Sequence, residues 1–192
     1  MYDLVYGDIK QFGSINYETP HINRLAKEGM LFTNFYSVQA VCSASRAALL
    51  TGCYSNRIGI SGALMPYSTT GLNENEITIA ELLKEKGYAT SIFGKWHLGF
   101  QEKFLPLNHG FDTYLGLPYS NDMWPVDFDG NQIINNNDWR KKNCPQLPII
   151  ENYNKIAEVK SLDDQAQLTT IYTEKSVEFI NKNVNNPFFL FI

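Results

Sequence analysis

The chain has 192 residues, of which 44% are hydrophobic and 19% charged, close to the composition of ordinary globular domains and far from that of disordered or collagen-like chains. A formal net charge of -4 gives no basic surface for a polyanion, which excludes nucleic acid as the expected partner. No run approaches the roughly 18 apolar residues of a membrane span, and the first residues carry no targeting leader.

The elements follow in chain order. Thr19-Pro20 reads as an N-cap and first helical residue, with Ile22, Leu25 and Ala26 as the apolar stripe and Gly29 as a left-handed stop. Met30 to Tyr36 is rich in large apolar and aromatic residues and predicts a strand. A helix is predicted from Ser45 to Gly52, so that Cys42 stands just before a helix N-terminus. Thr78 and Glu81 form a capping box for a helix whose buried face is read as Ile79, Leu82 and Leu83, with Gly87 at its end.

Ala89 to Phe93 then reads as a buried strand, and the loop Gly94-Lys95-Trp96-His97-Leu98-Gly99 follows at its C-terminal end, where α/β sheets present reactive groups. From Tyr119 to Lys160 the chain is rich in Asn, Asp and Pro and reads as a surface excursion. Trp124 and Trp139 lie in it, placed equally well to line a cleft or to anchor the loop. Leu168, Ile171, Tyr172, Phe179 and Ile180 keep helical spacing, and Pro187 to Ile192 is an apolar strand. Alternating helices and strands indicate an α/β sandwich.

Cys42, Cys53 and Cys144 fit neither a metal ribbon nor a disulfide framework. His21 and His109 read as surface or structural residues without a chemical role.

Two segments carry more specific information. Cys42-Ser43-Ala44-Ser45-Arg46, continuing through Leu49-Leu50-Thr51-Gly52, resembles the sulfatase signature Cys-x-Pro/Ala-x-Arg followed by Leu-Thr-Gly. Gly87 to Gly99, ending in Gly94-Lys95-Trp96-His97-Leu98-Gly99, is similar to the second signature of that family. Tyr6-Gly7-Asp8, Phe32 to Tyr36 and Gly116 to Asp122 extend the likeness, most closely to the arylsulfatase A branch.

The resemblance implies an alkaline phosphatase-like α/β sandwich with a mainly parallel central sheet. It makes residues 1–192 the N-terminal part of a catalytic domain, incomplete at both ends. The implied activity is sulfate-ester hydrolysis on aryl or carbohydrate sulfates by a formylglycine made from Cys42. Arg46 supports that nucleophile, Lys95 and His97 act at sulfate oxygens and in proton transfer, and Ser120 binds the sulfate. A calcium ion is the implied cofactor, with Asp3 as one ligand, although Tyr2 stands where the family has a second aspartate and a phenol ligates calcium poorly. A sulfatase-maturing enzyme is the implied partner, and family members are usually periplasmic, secreted or lysosomal.

Three rival readings are open to comparison. A cysteine phosphatase requires arginine six residues after its nucleophile, where this chain has Ala48. A phosphomonoesterase or phosphonate hydrolase on the same fold handles a similar tetrahedral anion. A truncated relic binds anions without turnover.

Overall fold

The structure, a computed structural model, describes residues 6–192. Among the described residues five strands form one mixed sheet in the order β4-β3-β2-β1-β5. In chain order they are β1 (Ala89–Lys95), β2 (Thr113–Leu117), β3 (Leu147–Glu151), β4 (Asn154–Val159) and β5 (Phe188–Phe191). β1 runs parallel to both β2 and β5, whereas β3 and β4 form an antiparallel hairpin against β2. Asn152, at the turn of that hairpin, accepts the Tyr114 amide on its side chain and donates its own amide to the Tyr114 carbonyl.

The described residues form five α-helices, α1 (Pro20–Glu28), α2 (Cys42–Thr51), α3 (Ile79–Glu85), α4 (Trp139–Asn143) and α5 (Leu162–Lys182). Both faces of the sheet are covered by helices, α2 and α3 on one and α5 on the other. Side chains alternate across β1 and β2, so Ile92 and Tyr114 join Ala47 and Leu50 of α2 and Ala80 of α3 in one core. On the other face Phe93 meets Phe179 of α5 edge to face, ring centres 6.2 Å apart. A second core there gathers Leu117, Tyr119, Trp124, Val126, Leu147, Val159 and Leu168.

The capping box of α3 is present in full. The Thr78 hydroxyl accepts the Glu81 amide at 3.2 Å, and the Glu81 carboxylate accepts the Thr78 amide at 2.7 Å.

Several expectations are corrected. Met30–Tyr36 forms no strand; Phe32, Phe35 and Tyr36 are exposed, because apolar content makes a strand only where an edge accepts its hydrogen bonds. Gly29 ends α1 at φ −115°, not in the left-handed region, and Leu25 of the expected stripe is exposed. α2 begins at Cys42 itself, after Val41 as N-cap, and ends at the left-handed Gly52 as its sequence suggests. In α3 the buried residue is Ala80, while Ile79 and Leu82 are exposed. Residues 119–160 are no mere surface excursion: they supply a hairpin and much of the second core, with Trp124 buried and Trp139 exposed.

Gly94 and Gly116 are partners in register on the parallel strands β1 and β2. A Cβ on Gly116 would lie 1.7 Å from the Gly94 carbonyl oxygen, so only glycine fits there without separating β1 from β2. Replacing Gly116 by alanine is expected to destabilise the chain by at least about 3 kcal/mol in chemical denaturation. Gly7→Ala, where no described residue lies within 4 Å of the added carbon, is expected to change it by less than about 0.5 kcal/mol.

Candidate active site

The expected site residues that the structure describes lie on three elements, and one buried side chain ties two of them together. Arg46 stands one helical turn after Cys42 and is almost wholly buried. Its Nε donates to the Trp96 carbonyl at 2.8 Å, and its guanidinium also donates to the Lys95 carbonyl. The N-terminal half of α2 is thereby fastened to the C-terminal end of β1. The guanidinium carbon also lies 5.2 Å from the centre of the Phe191 ring on β5.

Cys42 is a free, partly exposed thiol and the first residue of α2. Val41, the N-cap, makes no side-chain cap hydrogen bond to the helix.

The pairing of β1 with β2 continues past both strand ends. Trp96 donates its amide to the Leu117 carbonyl at 2.9 Å and His97 donates to Pro118 at 3.1 Å. Trp96 is fully buried, its indole N–H bonded to the Phe104 carbonyl at 2.7 Å. His97 has φ 60°, a left-handed conformation that costs a non-glycine residue on the order of 1 kcal/mol. Neighbouring bonds hold it there.

The His97 ring is buried as well. Its Nε2 lies 2.8 Å from the Leu64 carbonyl, and a carbonyl can only accept, so Nε2 carries the proton. Nδ1 is then the lone-pair nitrogen, and it has no hydrogen-bond partner among the described residues. Burial is the main reason that the His97 pKa falls from 6.5 to about 4. The Leu64 bond opposes it, the positive charges of Lys95 and Arg46 add to it, and Asp122 opposes it slightly. At neutral pH the ring is uncharged.

Three groups outside the expected set enter this geometry. The Ser43 hydroxyl accepts the Leu64 amide at 2.9 Å, while Leu64 offers its carbonyl to His97. A single backbone residue thus bridges the neighbour of Cys42 to His97. Sequence has no means of revealing Leu64, since its contribution is entirely main-chain. Asp122 stands inside the segment quoted above, and its charge reaches His97.

Ser120 is nearly buried and closes a turn in which the Met123 amide donates to its carbonyl at 3.0 Å. Asp3, the expected metal ligand, lies outside the described residues. Among the described residues no cluster of three or more His, Cys, Asp or Glu side chains could hold a metal ion, so these residues do not by themselves fit a divalent cation.

His109 takes no part in the site. It is buried, stacked on Trp96 with ring centres 5.8 Å apart, and burial lowers its pKa to about 4.

Comparison with known proteins bears directly on this arrangement. The family profile described as Sulfatase matches residues 3–192. Arylsulfatase G of Mus musculus is 36% identical over 99% of the chain, and N-acetylgalactosamine-6-sulfatase of Homo sapiens is 34% identical over 100% of it. The chain spans 38% and 37% of the length of those two relatives. Among solved structures, the PsFucS1 sulfatase from Pseudoalteromonas sp. superposes with a TM-score of 0.82 at 32% identity, covering 98% of this chain and 41% of that one.

The two buried histidines set a pH dependence. In the folded state each has a pKa near 4, against 6.5 when exposed, so the unfolded chain binds more protons between those values. Stability is then fully present above about pH 7 and lost as pH falls toward 4, by up to about 3 kcal/mol for each residue. Urea unfolding across this range should show the decline, and His97→Gln or His109→Gln should each remove part of the slope; a profile flat down to about pH 5 refutes the buried neutral state.

Proposed function

This chain belongs to the sulfatase family and carries its alkaline phosphatase-like α/β fold, and from that premise we propose that it forms the nucleophile-bearing part of a sulfate-ester hydrolase. The observation that carries the reading is the fastening of Arg46 to the carbonyls of Lys95 and Trp96. It brings the helix that begins at Cys42 to the strand end that presents Lys95 and His97.

Oxidation of Cys42 to formylglycine supplies, as its hydrate, a hydroxyl nucleophile in place of the thiol. The remaining roles belong to side chains and amides of the chain itself. The first-turn amides of α2, with the positive end of the helix dipole, receive an anionic sulfate. Lys95 adds a positive charge where negative charge grows on the sulfuryl and leaving oxygens.

His97 is neutral, and its Nε2 proton is committed to Leu64. Nδ1 is therefore the atom available to accept a proton from a nucleophilic hydroxyl or to return one to the leaving oxygen. The Ser120 hydroxyl donates to a sulfate oxygen. Asp3 is the one divalent-cation ligand that this sequence suggests.

The name of the human relative, N-acetylgalactosamine-6-sulfatase, supports a sulfated carbohydrate as the substrate class. Turnover of an aryl sulfate beside the matching aryl phosphate separates this reading from a phosphomonoesterase. In matured protein, Lys95→Ala or His97→Ala is expected to lower kcat on the order of 100-fold, about 3 kcal/mol of barrier, with a smaller change in KM. Unchanged turnover in either folded variant refutes that residue's role.

A sulfatase-maturing enzyme is the proposed partner, and the fold constrains when it can act. Ser43, Ala44 and Arg46 are buried once α2 has packed, so an enzyme that reads Cys42 to Arg46 must meet the segment unfolded. Mass spectrometry should find the aldehyde or its hydrate at Cys42 in a chain made together with the maturing enzyme. Folded chain mixed with the same enzyme afterwards should keep its thiol; equal conversion of both refutes the constraint.

A further inference from the structure

Ser120 lies beyond the reach of the sheet. The last bonds that continue the β1–β2 pairing end at Pro118, whose carbonyl accepts the His97 amide, and the loop that follows must be held by other means. Two contacts hold it. On one side, the Tyr119 hydroxyl donates to the Gln146 carbonyl at 3.1 Å. On the other, Asn121 and Gln165 exchange a reciprocal pair: the Asn121 side-chain amide donates to Gln165 Oε1 at 2.9 Å, and Gln165 Nε2 donates to the Asn121 carbonyl at 3.0 Å.

Gln165 belongs to α5, forty-four residues from Asn121 and outside every motif quoted above. Its place is rigid. α5 starts from a complete capping box, in which the Ser161 hydroxyl accepts the Asp164 amide and the Asp164 side chain accepts the Ser161 amide. The Gln165 amide itself donates to the Ser161 carbonyl at 3.1 Å. A side chain that meets both the side-chain amide and the main-chain carbonyl of one residue fixes that residue at two points, one of them on its peptide.

We propose that Gln165 is a positioning residue for the sulfate site: its two hydrogen bonds to Asn121 orient the turn that starts at Ser120 and so aim the Ser120 hydroxyl. The proposal rests on the reading of Ser120 as a sulfate-binding residue. Gln165 itself touches no substrate. It links α5, which covers the far face of the sheet, to the loop that follows β2, so the docking of that helix and the shape of the anion site are coupled through one side chain.

The test uses the full 192-residue chain with inorganic sulfate as probe. Three quantities are read: sulfate affinity by calorimetric titration, hydrogen exchange of the Met123 amide, and the melting temperature. Gln165→Ala removes both bonds, and alanine is the better helix former, so a general loss of stability is not expected. Exchange at Met123 should accelerate and sulfate should bind about fivefold more weakly, with the melting temperature unchanged.

Asn121→Ala leaves the bond from Gln165 Nε2 to the main chain and should give an intermediate result in both readouts. If sulfate affinity and Met123 exchange match the parent in both variants, Gln165 does not position the loop and the proposal is overturned. If the parent itself binds no sulfate, the reading of Ser120 fails, and this proposal falls with it whatever the exchange shows.

Discussion

The buried guanidinium of Arg46 is the interaction on which the site depends. A cation removed from water must be met by good acceptors, and the carbonyls of Lys95 and Trp96 are two that meet it. Those carbonyls stand at the C-terminal end of β1, which ends at Lys95, while the amides of Trp96 and His97 go on pairing with the segment that follows β2. Hydrogen bonds to a charged donor are worth roughly 1.5–3 kcal/mol each, and an orphaned buried carbonyl costs a comparable amount. The termination of one strand and the placement of one helix are therefore a single event. Neither arrangement is satisfied without the other.

From this fastening the rest of the geometry follows. With α2 held at the end of β1, Ser43 reaches the Leu64 amide and His97 reaches the Leu64 carbonyl, and this connection removes the choice of tautomer at His97. The left-handed backbone of His97 is tolerated because Pro118 and Leu64 hold both its amide and its ring. Such strain at the C-terminal edge of a parallel sheet sits where loops of α/β proteins gather their reactive groups. The narrow contact between Gly94 and Gly116 places the exits of β1 and β2 side by side, which brings the segment leading to Ser120 next to His97.

The opposite face is organised differently. There α5, the β3–β4 hairpin and the segment around Trp124 build a second core that contributes no side chain expected at the site. Its connection to the chemistry runs through the loop after β2, held by Gln146 and Gln165. Between α1 and α2 the chain keeps Phe32, Phe35 and Tyr36 exposed, although their β-forming character is plain. Intrinsic preference makes a strand only when a neighbouring edge completes its hydrogen bonds.

The sequence by itself determined what is local. Caps, stops and periodicity located α3, β1 and β5 to within a few residues, since the signals for a capping box or an apolar run lie in adjacent positions. Of α5 the spacing from Leu168 to Ile180 gave the body and missed the first six residues and their cap. The short motifs around Cys42, Lys95 and His97 named most of the candidate site, because chemistry of that kind needs particular side chains at particular spacings. The tertiary structure alone decided the rest. That Arg46 bonds main-chain carbonyls, that His97 carries its proton on Nε2, that Leu64 joins two elements and that Gln165 reaches Asn121 all depend on groups distant in the chain, several of them backbone atoms identical in every residue. Which apolar residues are buried is likewise a matter of what packs against them: Trp124 and Trp139 share a chemistry and lie fifteen residues apart, yet one is inside and the other outside because only one finds a core to join.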